Sequence, residues 1–205
     1  MSARAEKERF RKEKELFRSR GGVLRMSDVL RLGLTRKTLY AMRDARLLEQ
    51  LSRGVYRLKG LPPLGSPDLV MVATRIPHGV VCLISALAYH ELTTQVPHEV
   101  YVAVERGSER PGIDYPPVRL FWFSGAAFRE GIEVHRLDKV PVRIYSAEKT
   151  LADCFKFRNK LGMEVVLEAL RLWNERRGRQ VEVLLAHARN CRVERVMRPY
   201  LEAIQ

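Results

Sequence analysis

The segment "LTRKTLYAMRDARLLEQLSRGVYRL", residues 34–58, combines helix punctuation, a hairpin pattern and a dense set of basic side chains. Thr35 is placed as an N-cap, because its hydroxyl can accept from a first-turn N–H, and no Gly or Pro interrupts the dozen residues after it. Leu47–Leu51 and Val55–Leu58 read as two strands joined through Ser52-Arg53-Gly54. At about 100° per residue, Arg36, Lys37, Tyr40 and Arg43 share roughly a third of the helix circumference. Leu39, Met42 and the stem of Arg46 fall on another arc, which is expected to face a core.

Upstream, residues 1–20 form a charged helical pattern in which Phe10 and Phe17 share a face, and Gly21-Gly22 stops it. "VLRM" follows as a short apolar strand. "SDVLRLG", residues 27–33, reads as a short helix with Ser27 as N-cap and Gly33 just past its end. The expected order is therefore helix, short strand, helix, helix, hairpin, which is a winged helix-turn-helix. The divided second helix is what a recognition helix needs. Its apolar side is fixed to the preceding helix while guanidinium and phenol groups reach into the major groove. Arg can bridge guanine O6 and N7, and Tyr or Thr can bond phosphate oxygens. Arg53, beside Gly54, would stand at the tip of the wing. The plainer alternative is a surface helix whose charges are merely solvated.

Charge weighs against that alternative. The chain has 37 Lys/Arg against 24 Asp/Glu, a formal net charge of +13. Residues 1–60 hold 17 against 7, a net of +10, and residues 61–205 hold 20 against 17, a net of +3. A small basic module attached to an ordinary globular region implies a polyanionic partner, with nucleic acid ahead of an acidic membrane surface. Hydrophobic residues, at 46%, suffice for a core.

"GLPPLGSP", residues 60–67, has the composition of a linker. Beyond it, "DLVMVATRI" and "VVCLISALAYHEL" read as helical, and "HEVYVAVE", "VRLFWFS", "GIEVHRL" and "VPVRIYS" read as four strands. "SAEKTLADCFKFRNK" and "MEVVLEALRLWNERRG" read as helices, and a final helix is expected over "VEVLLAHARNC" and into "VERVMRPYLEAI". The expected fold is α+β: a winged helix-turn-helix in 1–60, a linker in 61–67, and in 68–205 a mixed, largely antiparallel sheet flanked by helices.

Several enzyme classes lose support. "HELTT", residues 90–94, has Thr94 where a zinc-protease motif needs its second His. No Asp/Glu-x-Lys of the common metal-dependent nucleases occurs, and neither G-x-x-x-x-G-K nor G-x-G-x-x-G is present. Ser146 and Lys149 have S-x-x-K spacing without the companion motifs of acylating enzymes. Ser146 is read first as a helix cap, with Glu148 and Lys149 in the first turn and Leu151, Cys154 and Phe155 on the packing face. Cys82, Cys154 and Cys191 show neither disulfide nor zinc spacing. The arginines of "RNCRVERVMR", residues 189–198, scatter around a wheel and read as a solvated face. No signal peptide or membrane span is expected, so the location expected is cytoplasmic, without cofactor or metal.

"GGVLRMSDVLRLGLTRKTLYAMRDARLLEQLSRGVYRL" resembles the winged helix-turn-helix of AbiE-type antitoxin proteins, in which "RGVYRL" closes the wing. "VCLISALAYHELTTQVPHEVYVAV", "IYSAEKTLADCFKFRNKLG" and "VMRPYLEA" resemble that family's C-terminal domain. The resemblance implies a transcriptional autorepressor and antitoxin of a type IV toxin–antitoxin pair, opposing a nucleotidyltransferase-like toxin. Its partners would be double-stranded operator DNA and that toxin, with direct contact to the toxin and a homodimer on DNA both left open. Matched to the helix and wing, the DNA-contacting residues would be Arg36, Lys37, Tyr40, Arg43 and Arg53. Ser146, Lys149, Thr150 and Asp153 would form a polar patch of the antitoxin domain. Two alternatives stand beside this reading. One is a stand-alone transcription factor with a ligand-binding or dimerising C-terminal domain, and the other is an enzyme that uses the winged helix for targeting.

Overall fold

The computed structural model describes residues 10–204, and the expected helix over residues 1–20 lies outside them for its first nine positions. Two compact units form. The first comprises the chain through Pro77 with Pro111–Tyr115 and Arg136–Pro141, and the second comprises the rest.

In the first unit, α1 (Arg11–Ser19), β1 (Val23–Arg25), α2 (Met26–Arg31), α3 (Arg36–Asp44), β2 (Leu48–Ser52) and β3 (Val55–Leu58) follow one another in the expected order. Gly21 and Gly22, both at positive φ, end α1, because glycine takes the left-handed region without a Cβ clash. The strands pair antiparallel as β1-β3-β2, with Leu24 opposite Tyr56 and Leu48 opposite Leu58. A register shift between Gln50 and Ser52 marks a bulge just before the turn. Phe10, Phe17, Leu24, Val29, Leu39, Met42, Leu48, Tyr56 and Leu58 make one core, so each helix contributes the apolar stripe its spacing predicts.

Two local expectations change. The second helix begins at Met26 and not after Ser27, because Arg25 clasps Asp28 through Nε and Nη2 at 2.8 and 3.0 Å and fixes the first turn. Arg46 is exposed beyond the end of α3, so its stem does not face the core. Leu61 packs on the first core, and the Gly65 N–H donates to Asp138 Oδ2 at 3.0 Å. Helix α4 (Pro67–Arg75) then opens with its Pro in the first turn, where a missing N–H costs nothing.

The second unit is built on a five-stranded sheet in the order β6-β5-β4-β8-β7. Its strands are β4 (Val80–Val81), β5 (Val100–Glu105), β6 (Val118–Phe123), β7 (Ile132–Leu137) and β8 (Val140–Tyr145). Val80–Val81 were expected to be helical. They are buried on every side, where periodicity cannot tell strand from helix, and the helix α5 (Leu83–Tyr89) starts only after them. The sheet is mixed, but less antiparallel than expected. β4 pairs antiparallel with β5, whereas β4–β8 and β5–β6 run parallel. Residues 106–117 separate β5 from β6, and a connection of about a dozen residues is long enough for a parallel crossover.

Helices α6 (Ala126–Arg129), α7 (Ala147–Lys156), α8 (Arg158–Leu161), α9 (Met163–Asn174), α10 (Val181–Asn190) and α11 (Glu194–Ala203) complete the unit. The final helix is two, broken at Arg192 with φ 59°, where Val193 N–H returns to Ala188 O at 2.9 Å. Leu83, Leu87, Phe155, Trp173, Leu184 and Met197 lie in its core. Among the described residues, no helix is long and apolar enough to cross a membrane.

Candidate nucleic-acid interface

Helix α3 presents the divided surface that its sequence predicts. Thr35 caps it: the Thr38 N–H donates to Thr35 Oγ1 at 3.1 Å, and the two threonine hydroxyls lie 2.9 Å apart. Leu39 and Met42 are fully buried and hold the helix to the core, while Arg36, Lys37, Tyr40 and Arg43 are exposed. Arg43 lies 5.0 Å above the Tyr40 ring and is ion-paired with Asp44 at 2.9 Å. Both contacts are made at the exposed surface of the helix. Buried Tyr56, beneath this pair, has its phenol pushed up by burial and by Tyr40, against the pull of Arg43.

The end of α3 is set by two backbone bonds, Arg46 N–H to Arg43 O and Leu47 N–H to Met42 O, the pattern usually made with glycine. Arg46 fills that position at φ 57°. Its side chain is exposed just past the end of the helix. The signal was a Gly-type helix stop without a Gly.

The β2–β3 hairpin forms the wing, with Gly54 at φ 74° in the turn and Arg53 exposed beside it. The Arg53 carbonyl accepts from Arg75 Nη1 at 2.7 Å, and the Gly54 carbonyl accepts from Met26 N–H at 2.8 Å. The tip is thus tied at its backbone while the Arg53 side chain stays exposed. Arg57, further along β3, pairs instead with Glu49 at 3.0 Å and donates to the Pro62 carbonyl, which spends it on structure.

Ser146, Lys149, Thr150 and Asp153, read from sequence as a polar patch of this domain, are all buried inside the second unit. Ser146 caps α7, accepting from Lys149 N–H at 3.2 Å. Lys149 Nζ meets Asp153 Oδ2 at 2.5 Å, and the Cys191 thiol donates to Asp153 Oδ1 at 3.2 Å. Lys149 Nζ also lies 4.5 Å from the centre of the Tyr145 ring and 5.2 Å from that of Phe123. Burial pushes the Asp153 carboxyl up, and Lys149 pulls against it. The reason for the interior placement is that this helix buries almost its whole circumference, so polar residues at the wheel's flank are enclosed with the apolar ones. His90, also singled out, is half-buried at the end of α5, with Nε2 at 2.7 Å from the Tyr145 carbonyl. Among the described residues, no three His, Cys, Asp or Glu side chains are grouped as a metal site requires.

Residues 11–59 match the family profile described as "Transcriptional regulator, AbiEi antitoxin". The match spans 49 of 205 residues and coincides with the helix-turn-helix and its wing. A comparison with curated proteins finds no match. Among solved structures, the chain is similar to a crystal structure of the RV2827C protein from Mycobacterium tuberculosis. The two share 14% identity with a TM-score of 0.52, over 92% of this chain and 78% of that one. At that identity the likeness is one of fold.

Proposed function

Taking the family match of the N-terminal segment as premise, we propose that this protein is a DNA-binding transcriptional autorepressor. In this reading it is also the antitoxin of a type IV pair, opposing a nucleotidyltransferase-like toxin. The observation that carries the reading is the exposed basic and aromatic face of α3, anchored by buried Leu39 and Met42 beside a wing tipped by Arg53. Arg36, Lys37, Tyr40 and Arg43 would enter the major groove, and Arg53 would meet the adjacent backbone. Residues 68–205 would carry the antitoxin role as a separate domain. A role there for Ser146, Lys149, Thr150 and Asp153 would be to hold the unit's core, not to touch a partner.

The test has two arms. Operator binding is measured by fluorescence anisotropy on the DNA upstream of the gene. Replacing Arg43 with Glu should abolish specific binding, and each neutralised phosphate contact should lower the salt slope by about 0.9. Specific binding by R43E within about twofold of the parent would remove α3 as the recognition element. In the second arm the neighbouring reading frame is induced in a bacterial host, alone, with this protein, and with R43E from an independent promoter. Rescue by both forms would place antitoxin activity outside DNA binding. Absence of toxicity, or of rescue, would leave a DNA-binding regulator with a differently employed second unit.

A further inference from the structure

Strand β6, "VRLFWF", is an edge of the five-stranded sheet, and only β5 pairs with it. Its ladder to β5 runs without a bulge from Val118 to Phe123, and no Pro lies within it. Pro117 O accepts from Val100 N–H at 2.8 Å, and Phe123 O accepts from Arg106 N–H at 2.7 Å. Backbone direction alternates along a strand, so residues 117, 119, 121 and 123 turn their polar backbone groups to β5. The N–H and C=O of Val118, Leu120 and Trp122 therefore point outward, away from the sheet. Such an edge is a template for another strand, and proteins ordinarily blunt it with a Pro, a bulge or charge.

Here only charge is present. A hollow of about 540 Å³ runs beside β6, lined by the consecutive residues Arg119–Ser124, so it follows the backbone edge and takes in both faces of the strand. Arg119, Phe121 and Phe123 share the face on which Phe157 packs, with ring centres 5.3 Å from Phe121 and 5.6 Å from Phe123. Lys156 and Lys160 line that side, and Lys160 Nζ lies 5.8 Å from the centre of the Phe157 ring. Leu120 and Trp122 take the opposite face, where Trp122 is 42% exposed. Arg106 stands at the end of β5, and no Asp or Glu is among the lining residues. Arg119 is partly compensated, by Glu99 at 3.5 Å and the Tyr101 hydroxyl at 3.3 Å.

A strand laid along this edge meets cations on one face and an apolar, aromatic border on the other. A second copy of β6 is disfavoured, since it would bring Arg119, Lys156 and Lys160 against their own likes. An acidic strand gains where a copy loses. We propose that β6 receives an extended segment of a partner protein as an added strand. Its acidic side chains, at alternate positions, face Arg119, Lys156 and Lys160, and the apolar side chains between them face Leu120 and Trp122. Main-chain hydrogen bonds to Val118, Leu120 and Trp122 supply affinity, and the two unlike faces supply specificity. The site lies wholly in the second unit and does not rest on the DNA-binding reading of α3.

The test uses the full chain and a labelled short peptide of alternating Glu and Val, followed by fluorescence anisotropy. Saturable binding is expected, with an isomer that carries the same Glu and Val in two blocks weaker by roughly tenfold. Two further peptides are N-methylated at the Glu or at the Val positions. One should lose binding and the other keep it, because only one set of amides faces β6. Lys156→Ala combined with Lys160→Ala should weaken binding by roughly tenfold. Leu120→Pro deletes an outward N–H without touching the β5 ladder, so binding should vanish at an unchanged melting temperature. The methylated peptides make the same point on the unaltered chain, whatever that variant does to folding. R43E should bind the peptide as the parent does, so failure of the DNA reading leaves this result intact. The proposal is overturned by lack of saturation up to about 1 mM, by equal behaviour of the two methylated peptides, or by indifference to block order or to the double lysine variant. It is equally overturned by a single-stranded oligonucleotide that displaces the peptide at lower concentration than unlabelled peptide does. A dimer of this chain that Leu120→Pro dissolves would assign the edge to a second copy and overturn it as well.

Discussion

Lys149 Nζ lies 2.5 Å from Asp153 Oδ2 one helical turn away, and each side chain is only 1% exposed. Both charges have left water, and their mutual attraction, the Cys191 thiol and the flanking Tyr145 and Phe123 rings must offset that loss. Removing one partner strands the other. Lys149→Met is expected to lower unfolding free energy by about 3–5 kcal/mol, read by urea denaturation. The double replacement Lys149→Met with Asp153→Leu should recover most of that loss, because the uncompensated charge is gone. A neutral single variant would show that the pair contributes nothing.

Gly131 keeps the stem of that lysine in place. It stands at φ 69°, and a Cβ there would meet Lys149 Cβ at 2.6 Å and Cγ at 2.8 Å. Gly131→Ala combines a strained backbone with an overlap on an immobile buried stem, and should cost about 2–4 kcal/mol. A thermal melt reads the loss, and a melting temperature unchanged within error would contradict the placement.

Arg46 predicts the opposite sign. It occupies a left-handed position that glycine takes without penalty, so Arg46→Gly should stabilise the first unit by about 1 kcal/mol. The same change removes a cation beside α3, so DNA affinity should fall while stability rises. Measuring both on one variant separates the roles of the backbone and the side chain.

Acid should weaken the second unit through two histidines. Burial pushes the His187 imidazole down, with Lys149 adding to it and Glu130 and Asp153 opposing. Burial likewise lowers His90, opposed by its bond to the Tyr145 carbonyl. In each case the unfolded chain binds the proton more readily than the folded one. Stability is therefore full above the ordinary imidazole range, falls as pH drops through it, and levels off below the folded value. Urea midpoints between about pH 7.5 and about pH 5 should show this decline, and His187→Gln should flatten part of it. A midpoint that rises on acidification would refute the assignment.

Much of the first unit is legible along the chain because its signals are local. Thr35 is a cap by chemistry, Gly33 and Gly54 mark left-handed turns, and Leu39 and Met42 fall at spacing that only a helix puts on one face. In the second unit local signals weaken as burial spreads. Val80–Val81 are apolar on every side, so nothing in their pattern separates strand from helix. The parallel β4–β8 ladder joins Val81 to Ile144, a pairing that no neighbouring residue encodes. Lys149 reads as a first-turn residue of a capped helix, and only the tertiary arrival of Cys191, Tyr145 and Phe123 makes it a core residue.

The three cysteines have a practical meaning. Cys82, Cys154 and Cys191 are all buried, and all three belong to the second unit. Burial pushes the Cys82 and Cys154 thiols far up and that of Cys191 up to about 12, so the thiolate that would react with an alkylating reagent is scarce while the unit is closed. The first unit contains no cysteine at all. Alkylation of the unmodified chain is therefore a clock that runs only when the second unit opens, so the lifetime of that unit can be timed by itself without introducing a label.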